Sequence, residues 1–210
     1  MIDFHNHVLP EVDDGSKSME MTLDMLKTAS SQGITRIVNT VHFQHPKMDG
    51  KNTNYDYISN IRDNVLENAK NEGIEIKIDI ASEVYYDSNL CDIIENPITT
   101  FNNYMLIEFN PTITPVNFLD TFFNLRMKGI TPILAHPERY RFIQNNIQEL
   151  NKIRSLDVLF QIDAGSLIGH FGDRVSSTAF SMLKEGYCDF IGSDAHNNRN
   201  RNFCIKELQV

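Results

Sequence analysis

The stretch Tyr104–Ala135, YMLIEFNPTITPVNFLDTFFNLRMKGITPILA, holds the pattern that decides the fold. Tyr104–Phe109 is a short apolar run of strand length. Val116–Lys128 repeats apolar residues every third or fourth position, which predicts a helix, and Gly129 stops it before a second apolar run, Ile130–Ala135. Strand, helix and strand in that succession make a parallel βαβ unit, because a crossover segment must carry the chain back before a parallel neighbour can start. The same alternation extends in both directions. Upstream, Met1–Phe4 reads as a strand, Met19, Leu23, Leu26 and Ala29 share a helical face ended by Gly33, and Ile34–Thr40 reads as the second strand. Ile58, Ile61, Val65 and Ala69 form the next helical stripe, ended by Gly73, before Ile74, Ile76, Ile78 and Ile80 alternate with polar residues as a third strand. Downstream come a short helix over Ile147–Arg154, a strand over Val158–Ala164, a helix over Val175–Glu185 and a strand over Tyr187–Gly192. About seven such strands predict an α/β protein with a closed or nearly closed barrel, with an open doubly wound sheet as the competing arrangement. No linker or compositional break divides the chain, so a single domain is expected. The stretch Gln44–Asn54 reads as a long loop.

Composition narrows the function. The chain has 210 residues, 41% hydrophobic and 22% charged, enough to bury a sizeable core. Nineteen Lys and Arg against 28 Asp and Glu leave a formal charge of −9, which argues against gripping nucleic acid or anionic lipid. Any anionic substrate must then find positive charge locally. The mean hydropathy is −0.32, and MIDFHNHVLPEVDD carries acids where a signal peptide would carry lysines, so a soluble, cytoplasmic protein is expected. Cys91, Cys188 and Cys204 are too few and scattered for a disulfide framework. Six positions beyond each stand Pro97, Asp194 and Val210 rather than arginine, so the phosphate loop of thiol phosphatases is missing. There is no GxxxxGK[ST] or GxSxG, and the glycines of GSLIGHFG, residues 165–172, are not spaced as a dinucleotide loop.

The unusual residues fall at one kind of place. His5 and His7 follow the first expected strand, His42 the second and Glu83 the third; Glu108 ends the fourth, His136 follows the fifth, and Asp194 and His196 follow the last. These are carboxyl ends of strands, the rim on which parallel barrels build active sites. Asp14, in the loop after the first strand, can reach the same rim. Imidazoles with carboxylates and no thiolate suit manganese, iron or zinc rather than a structural zinc site. Each piece has a plain structural alternative. Glu108, inside MLIEF, could pair with an arginine such as Arg139, His136 could bond backbone, and Asp194 with His196 could cap a helix. The repetition at successive strand ends favours a metal site.

Three blocks, DFHNHVLPEVDDG (3–15), LAHPERY (134–140) and IGSDAHN (191–197), resemble the polymerase and histidinol phosphatase (PHP) superfamily. More narrowly, the chain is similar to the manganese-dependent protein tyrosine phosphatases of bacterial capsule and exopolysaccharide operons, from Met1 to about Phe203. The resemblance implies a distorted (β/α)7 TIM-like barrel, one metallophosphatase domain over residues 1–210 and three divalent metals. Manganese is expected first, with iron, zinc or magnesium as alternatives. Matching positions supply the metal ligands as His5, His7, Asp14, His42, Glu83, Glu108, His136, Asp194 and His196. They also supply two phosphate-holding arginines, Arg139 and Arg201, with Arg199 a neighbouring candidate; guanidinium forks match phosphate oxygens.

Four carboxylates against three divalent ions leave a surplus of about two positive charges in the filled site, enough to draw a phosphate dianion to an acidic protein. The resemblance implies attack by metal-bound hydroxide without a covalent phosphoenzyme, with the arginines spreading charge on phosphorus. A phenol leaving group, with pKa about 10, needs less help from an acid than a serine alkoxide, which fits aryl phosphates. His42, Asp14 or His196 are the candidate proton donors. The implied substrate is the tyrosine-rich, phosphorylated tail of a membrane-associated autokinase, with histidinol phosphate or another small phosphomonoester as the alternative. Tyr85, Tyr86, Phe43 and Tyr140 either line an open mouth or pack. A nuclease lacks support in the absence of a basic groove, and an amidohydrolase in the presence of Glu108 where a lysine would stand. A metal-loaded binding module is disfavoured by retention of all nine ligand positions. Relatives of this kind continue with further helices, whereas this chain ends at KELQV (206–210), so an incompletely closed barrel or a homo-oligomer is expected.

Overall fold

Strand formation starts where apolar runs are flanked by turn residues, and parallel pairing follows from the helices between them. In the computed structural model, which describes residues 1–48, 50 and 54–208, the strands are β1 (Ile2–Asn6), β2 (Arg36–Phe43), β3 (Lys77–Tyr85), β4 (Tyr104–Glu108), β5 (Thr131–Ala135), β6 (Leu159–Asp163) and β7 (Phe190–Gly192). They are hydrogen-bonded in sequence order, and the registered pairs are parallel. A doubly wound sheet reverses its order at a switch point, so that competitor is excluded. The chain divides into two compact units, Met1–Ser82 with Gly192–Val210, and Glu83–Ile191.

In the first unit, α1 (Met19–Ser31) begins where the Ser18 side chain accepts from the Met21 N–H, and it buries Thr22, Met25, Leu26 and Ala29. Gly33, at φ 79°, ends it in the left-handed conformation that a Cβ disfavours. α2 (Tyr55–Asn71) is capped by Asn54 and buries Ile58, Val65 and Ala69. Both strands after these helices start later than their apolar runs suggest. Ile34 and Ile74 donate backbone N–H to Ala29 and Ala69, closing the helix ends, so β2 and β3 begin at Arg36 and Lys77. β1, β2 and β3 also run further than expected, to Asn6, Phe43 and Tyr85, so His5, His42 and Glu83 lie within strands rather than after them. Of the expected Gln44–Asn54 loop, residues 49 and 51–53 lie outside the described residues, as do Gln209 and Val210 of KELQV.

The second unit holds α3 (Phe118–Met127), α4 (Arg141–Asn145), α5 (Glu149–Arg154), α6 (Ala164–Leu167) and α7 (Asp173–Lys184). Its core is aromatic: Phe109 stacks on Phe122 and on Tyr140, with ring centroids 5.8 and 5.4 Å apart, and all three are fully buried. α4 and α6 are too short to show any periodicity, and for that reason they are absent from the sequence-based reading.

Candidate functional site

In the first unit the site grows from β1. Asp3 and His5 of β1 and His7 just beyond it are all buried. Asp3 pairs with Ile37 but Asn6 with Asn39, a bulge at which the Asp3 carboxylate accepts the His5 N–H at 2.9 Å. The segment after β7 then runs beside β1. Ser193 N–H donates to Asp3, Asp194 N–H to the His5 carbonyl and His7 N–H to the Ala195 carbonyl. This brings the Asp194 carboxylate to 3.5 Å from Nε2 of both His5 and His7. Asp194 adopts φ 47°, the kind of backbone strain that collects at functional positions.

The loop after β1 folds back on itself. Asn39 Oδ1 accepts from Val8 and Leu9 N–H, and Ser16 N–H donates to the His7 carbonyl. The two acids of that loop take different work. Asp13, absent from the sequence-based ligand list, has one oxygen 2.9 Å from His7 Nδ1 and 3.2 Å from the His42 N–H, while the other accepts the Gly15 N–H at 2.9 Å. Burial alone would raise its pKa, but His7 outweighs it and the carboxyl falls to about 2. With its Nδ1 proton given to Asp13, His7 turns the Nε2 lone pair outward, the carboxylate–histidine arrangement of metal ligands. The only hint of Asp13 in the sequence is the doubled acid before Gly15.

Asp14 Oδ1 lies 3.2 Å from His42 Nε2 and 3.3 Å from His196 Nε2. One ligand atom from each of His7, Asp14, His42 and His196 falls within 4.8 Å of all the others. The donor chemistry fits a cation. His196 Nδ1 is 2.8 Å from the Asp194 carbonyl, which can only accept, so Nδ1 carries the proton and Nε2 presents a lone pair towards a carboxylate. Burial, then the neighbouring His7, lowers the His196 pKa and favours that neutral form. Facing acceptors of this kind repel unless positive charge lies between them.

Arg201 returns to this group because its carbonyl accepts from His196 and Asn197 N–H, and its Nη2 donates to Asp194 Oδ2 at 2.8 Å. Arg199, the neighbouring candidate, is exposed, whereas Arg201 is the one that pairs with a residue of the ligand set.

The second unit carries Glu83, Glu108 and His136. His136 Nε2 lies 2.9 Å from Glu83 Oε1 and 3.9 Å from Glu108 Oε1, and His136 adopts φ 33°. Tyr140 is fully buried, and its hydroxyl donates to the Ala135 carbonyl while accepting the Phe109 N–H. It therefore ties together the strand ends that carry Glu108 and His136 instead of lining a mouth, and Phe43 is likewise buried. Arg139 pairs with Asp163. The three cysteines are free thiols. Burial raises Cys91, pushes Cys188 up to about 11 and Cys204 up to about 12, which removes any ready thiolate. Among the described residues no helix is long and apolar enough to cross a membrane.

Sequential parallel strands whose ends carry buried imidazoles and carboxylates define an α/β protein built to hold metal. Over residues 1–209 the chain matches the CpsB/CapC family of capsular polysaccharide synthesis, and it belongs to that family. It is 32% identical to CapC of Staphylococcus aureus over 99% of this chain and 82% of that protein. It is 30% identical to the tyrosine-protein phosphatase YwqE of Bacillus subtilis strain 168, again over 99% and 82%. A crystal structure from work on YwqE of Bacillus subtilis and CpsB of Streptococcus pneumoniae, described as metal-dependent tyrosine phosphatases, superposes with TM-score 0.90 at 29% identity. That match covers 97% of this chain and 82% of the other. The zinc-bound histidinol phosphate phosphatase of Lactococcus lactis, at 17% identity and TM-score 0.58, shares the fold alone.

Proposed function

We propose that this chain is a metal-dependent protein tyrosine phosphatase acting in capsule or exopolysaccharide synthesis, with residues 1–210 working as one metallophosphatase domain. The observation that carries this reading is the His7, Asp14, His42 and His196 set, with Asp13 behind His7, in a chain of a family whose relatives are named tyrosine-protein phosphatases. The ligands are His5, His7, Asp14, His42, Asp194 and His196 from the first unit and Glu83, Glu108 and His136 from the second. They hold three divalent ions, manganese by preference. Such ions, when bound, acidify water and offset the charge of a phosphate ester.

The chain's own residues supply the rest. Asp13 and the Asp194 carbonyl hold His7 and His196 with their protons on Nδ1, so both rings stay oriented. Arg201 and Arg139 hold phosphate oxygens, and two donors on a rigid fork suit that work better than an ammonium. Arg201 also partly balances Asp194. His42, Asp14 and His196 are the candidate groups for handing a proton to a departing phenolate. The expected partner is the phosphorylated, tyrosine-rich tail of a membrane-associated kinase, which sets the reaction in the cytoplasm.

The deciding experiment combines elemental analysis with hydrolysis of a phosphotyrosine peptide, a phosphoserine peptide and histidinol phosphate, with and without chelator. Manganese-dependent cleavage of the phosphotyrosine peptide well above the other two is expected. Full activity in chelator, or loss only on thiol alkylation, overturns the reading; preference for histidinol phosphate replaces its substrate.

A further inference from the structure

Arg139 ends the short turn Pro137–Arg139 that follows β5. An arginine side chain there must give up about 2 kcal/mol of rotamer freedom before it can hold anything in one direction. In the second unit two neighbours already restrain it. Its Nη2 pairs with Asp163 Oδ2 at the end of β6, a carboxylate 1% exposed, and its guanidinium carbon lies 3.9 Å from the centre of the Phe171 ring. The carboxylate fixes one edge of the guanidinium and the ring fixes its plane.

Both restraints are themselves held. Asp163 Oδ1 accepts the Gly165 N–H at 2.7 Å. The Asp163 N–H and the Ser166 hydroxyl both donate to Glu138 Oε1, at 3.0 and 2.6 Å, so the residue before Arg139 is tied to the same strand end. Phe171 arrives on the glycine-rich segment GSLIGHFG, to which the proposed reaction assigns no role. Gly169 and Gly172, at φ 86° and 88°, turn the chain around it, and a Cβ on Gly165 would stand only 3.1 Å from Phe171 Cε2. A buried carboxylate without its partner is costly, so Asp163 and Arg139 keep one another in place.

We propose that Asp163 and Phe171 are positioning residues that set the edge and plane of the Arg139 guanidinium for phosphate, and that segment 165–172 exists to seat Phe171 against it. This rests on the reading of Arg139 as a phosphate contact. A guanidinium has five N–H donors in a fixed fork, so pairing one terminal nitrogen with Asp163 leaves the group's geometry suited to an anion.

The test uses the full chain loaded with manganese, with four variants: Asp163→Asn, which keeps the oxygen that accepts from Gly165, Phe171→Leu, Arg139→Ala and the double variant Asp163→Asn with Arg139→Ala. Measured are kcat and KM on a phosphotyrosine peptide, inhibition by inorganic phosphate, metal content and thermal unfolding. Asp163→Asn and Phe171→Leu should each weaken phosphate inhibition and kcat/KM about tenfold at unchanged metal content, while Asp163→Asn adds less than about twofold once Arg139 is alanine. Equal losses in the presence and absence of Arg139 would mean a merely structural role and overturn the proposal. So would unchanged phosphate inhibition in both single variants when Arg139→Ala weakens it. If Arg139→Ala itself leaves phosphate inhibition intact, the parent reading of Arg139 falls first. Should Asp163→Asn fail to fold, Phe171→Leu, which changes no charge, carries the same comparison.

Discussion

Replacing Asp13 with asparagine tests the support of the candidate metal centre without touching a ligand. Asp13 accepts from three donors, His7 Nδ1 and the His42 N–H on one oxygen and the Gly15 N–H on the other. Asparagine offers one carbonyl oxygen and one NH2, so at least one of those donors must face another donor. The side chain of Asp13 is 1% exposed, and water cannot make up the difference. Its pKa falls from the ordinary 3.8 to about 2, which corresponds to about 2 kcal/mol of native-state preference for the charged form. Because the folded-state value is depressed, that contribution is present above the ordinary carboxylate pKa and is lost as pH falls through about 2. Denaturant unfolding of the metal-free protein at pH 7 should show Asp13→Asn less stable by about 2 kcal/mol, with the gap shrinking between about pH 4 and pH 2. Manganese affinity, by titration calorimetry, should fall about 10- to 100-fold, the usual cost of losing a carboxylate behind a ligating histidine. Wild-type affinity and stability in Asp13→Asn would refute the assignment of Asp13 as the group that orients His7.

Gly15→Ala would drive a Cβ into the His7 carbonyl oxygen and to 2.5 Å from the His7 Cβ, so it should cost about 1–3 kcal/mol in unfolding experiments and lower manganese content with it. His136→Ala and Glu108→Ala should each abolish turnover, and elemental analysis should show less bound metal than in the wild-type protein. Arg201→Ala should mainly raise KM or lower kcat/KM in steady-state assays on a phosphotyrosine peptide; because Arg201 also balances Asp194, a modest change in metal affinity is expected beside it.

Much of this protein was readable because two signals are local. Hydrophobic period identifies strand against helix within a dozen residues, and a histidine or carboxylate next to an apolar run marks a strand end. Hence the seven strands, the helices of ten or more residues and the strand-end positions of His5, His7, Glu108, His136 and Asp194 all follow from sequence pattern. The errors have local causes too. Helix-closing bonds from Ile34 and Ile74 delay β2 and β3, and the single-turn helices α4 and α6 have no period to detect.

Contacts between residues distant in the chain belong to the tertiary structure. Nothing in PEVDDG says that Asp13 takes His7 while Asp14 takes His42 and His196; the backfolded loop after β1 assigns them. Likewise NNRNRN does not distinguish Arg199 from Arg201, yet the bonds from His196 and Asn197 N–H to the Arg201 carbonyl bring only the latter to Asp194. Tyr140 could have faced solvent until packing made its hydroxyl a brace between Phe109 and Ala135. The sequence thus determined which residue types stand at the strand ends, because those depend on short-range pattern. Which of them touch, and through which atom, only the fold decided, because a hydrogen bond selects on distances that the chain sets over tens of residues.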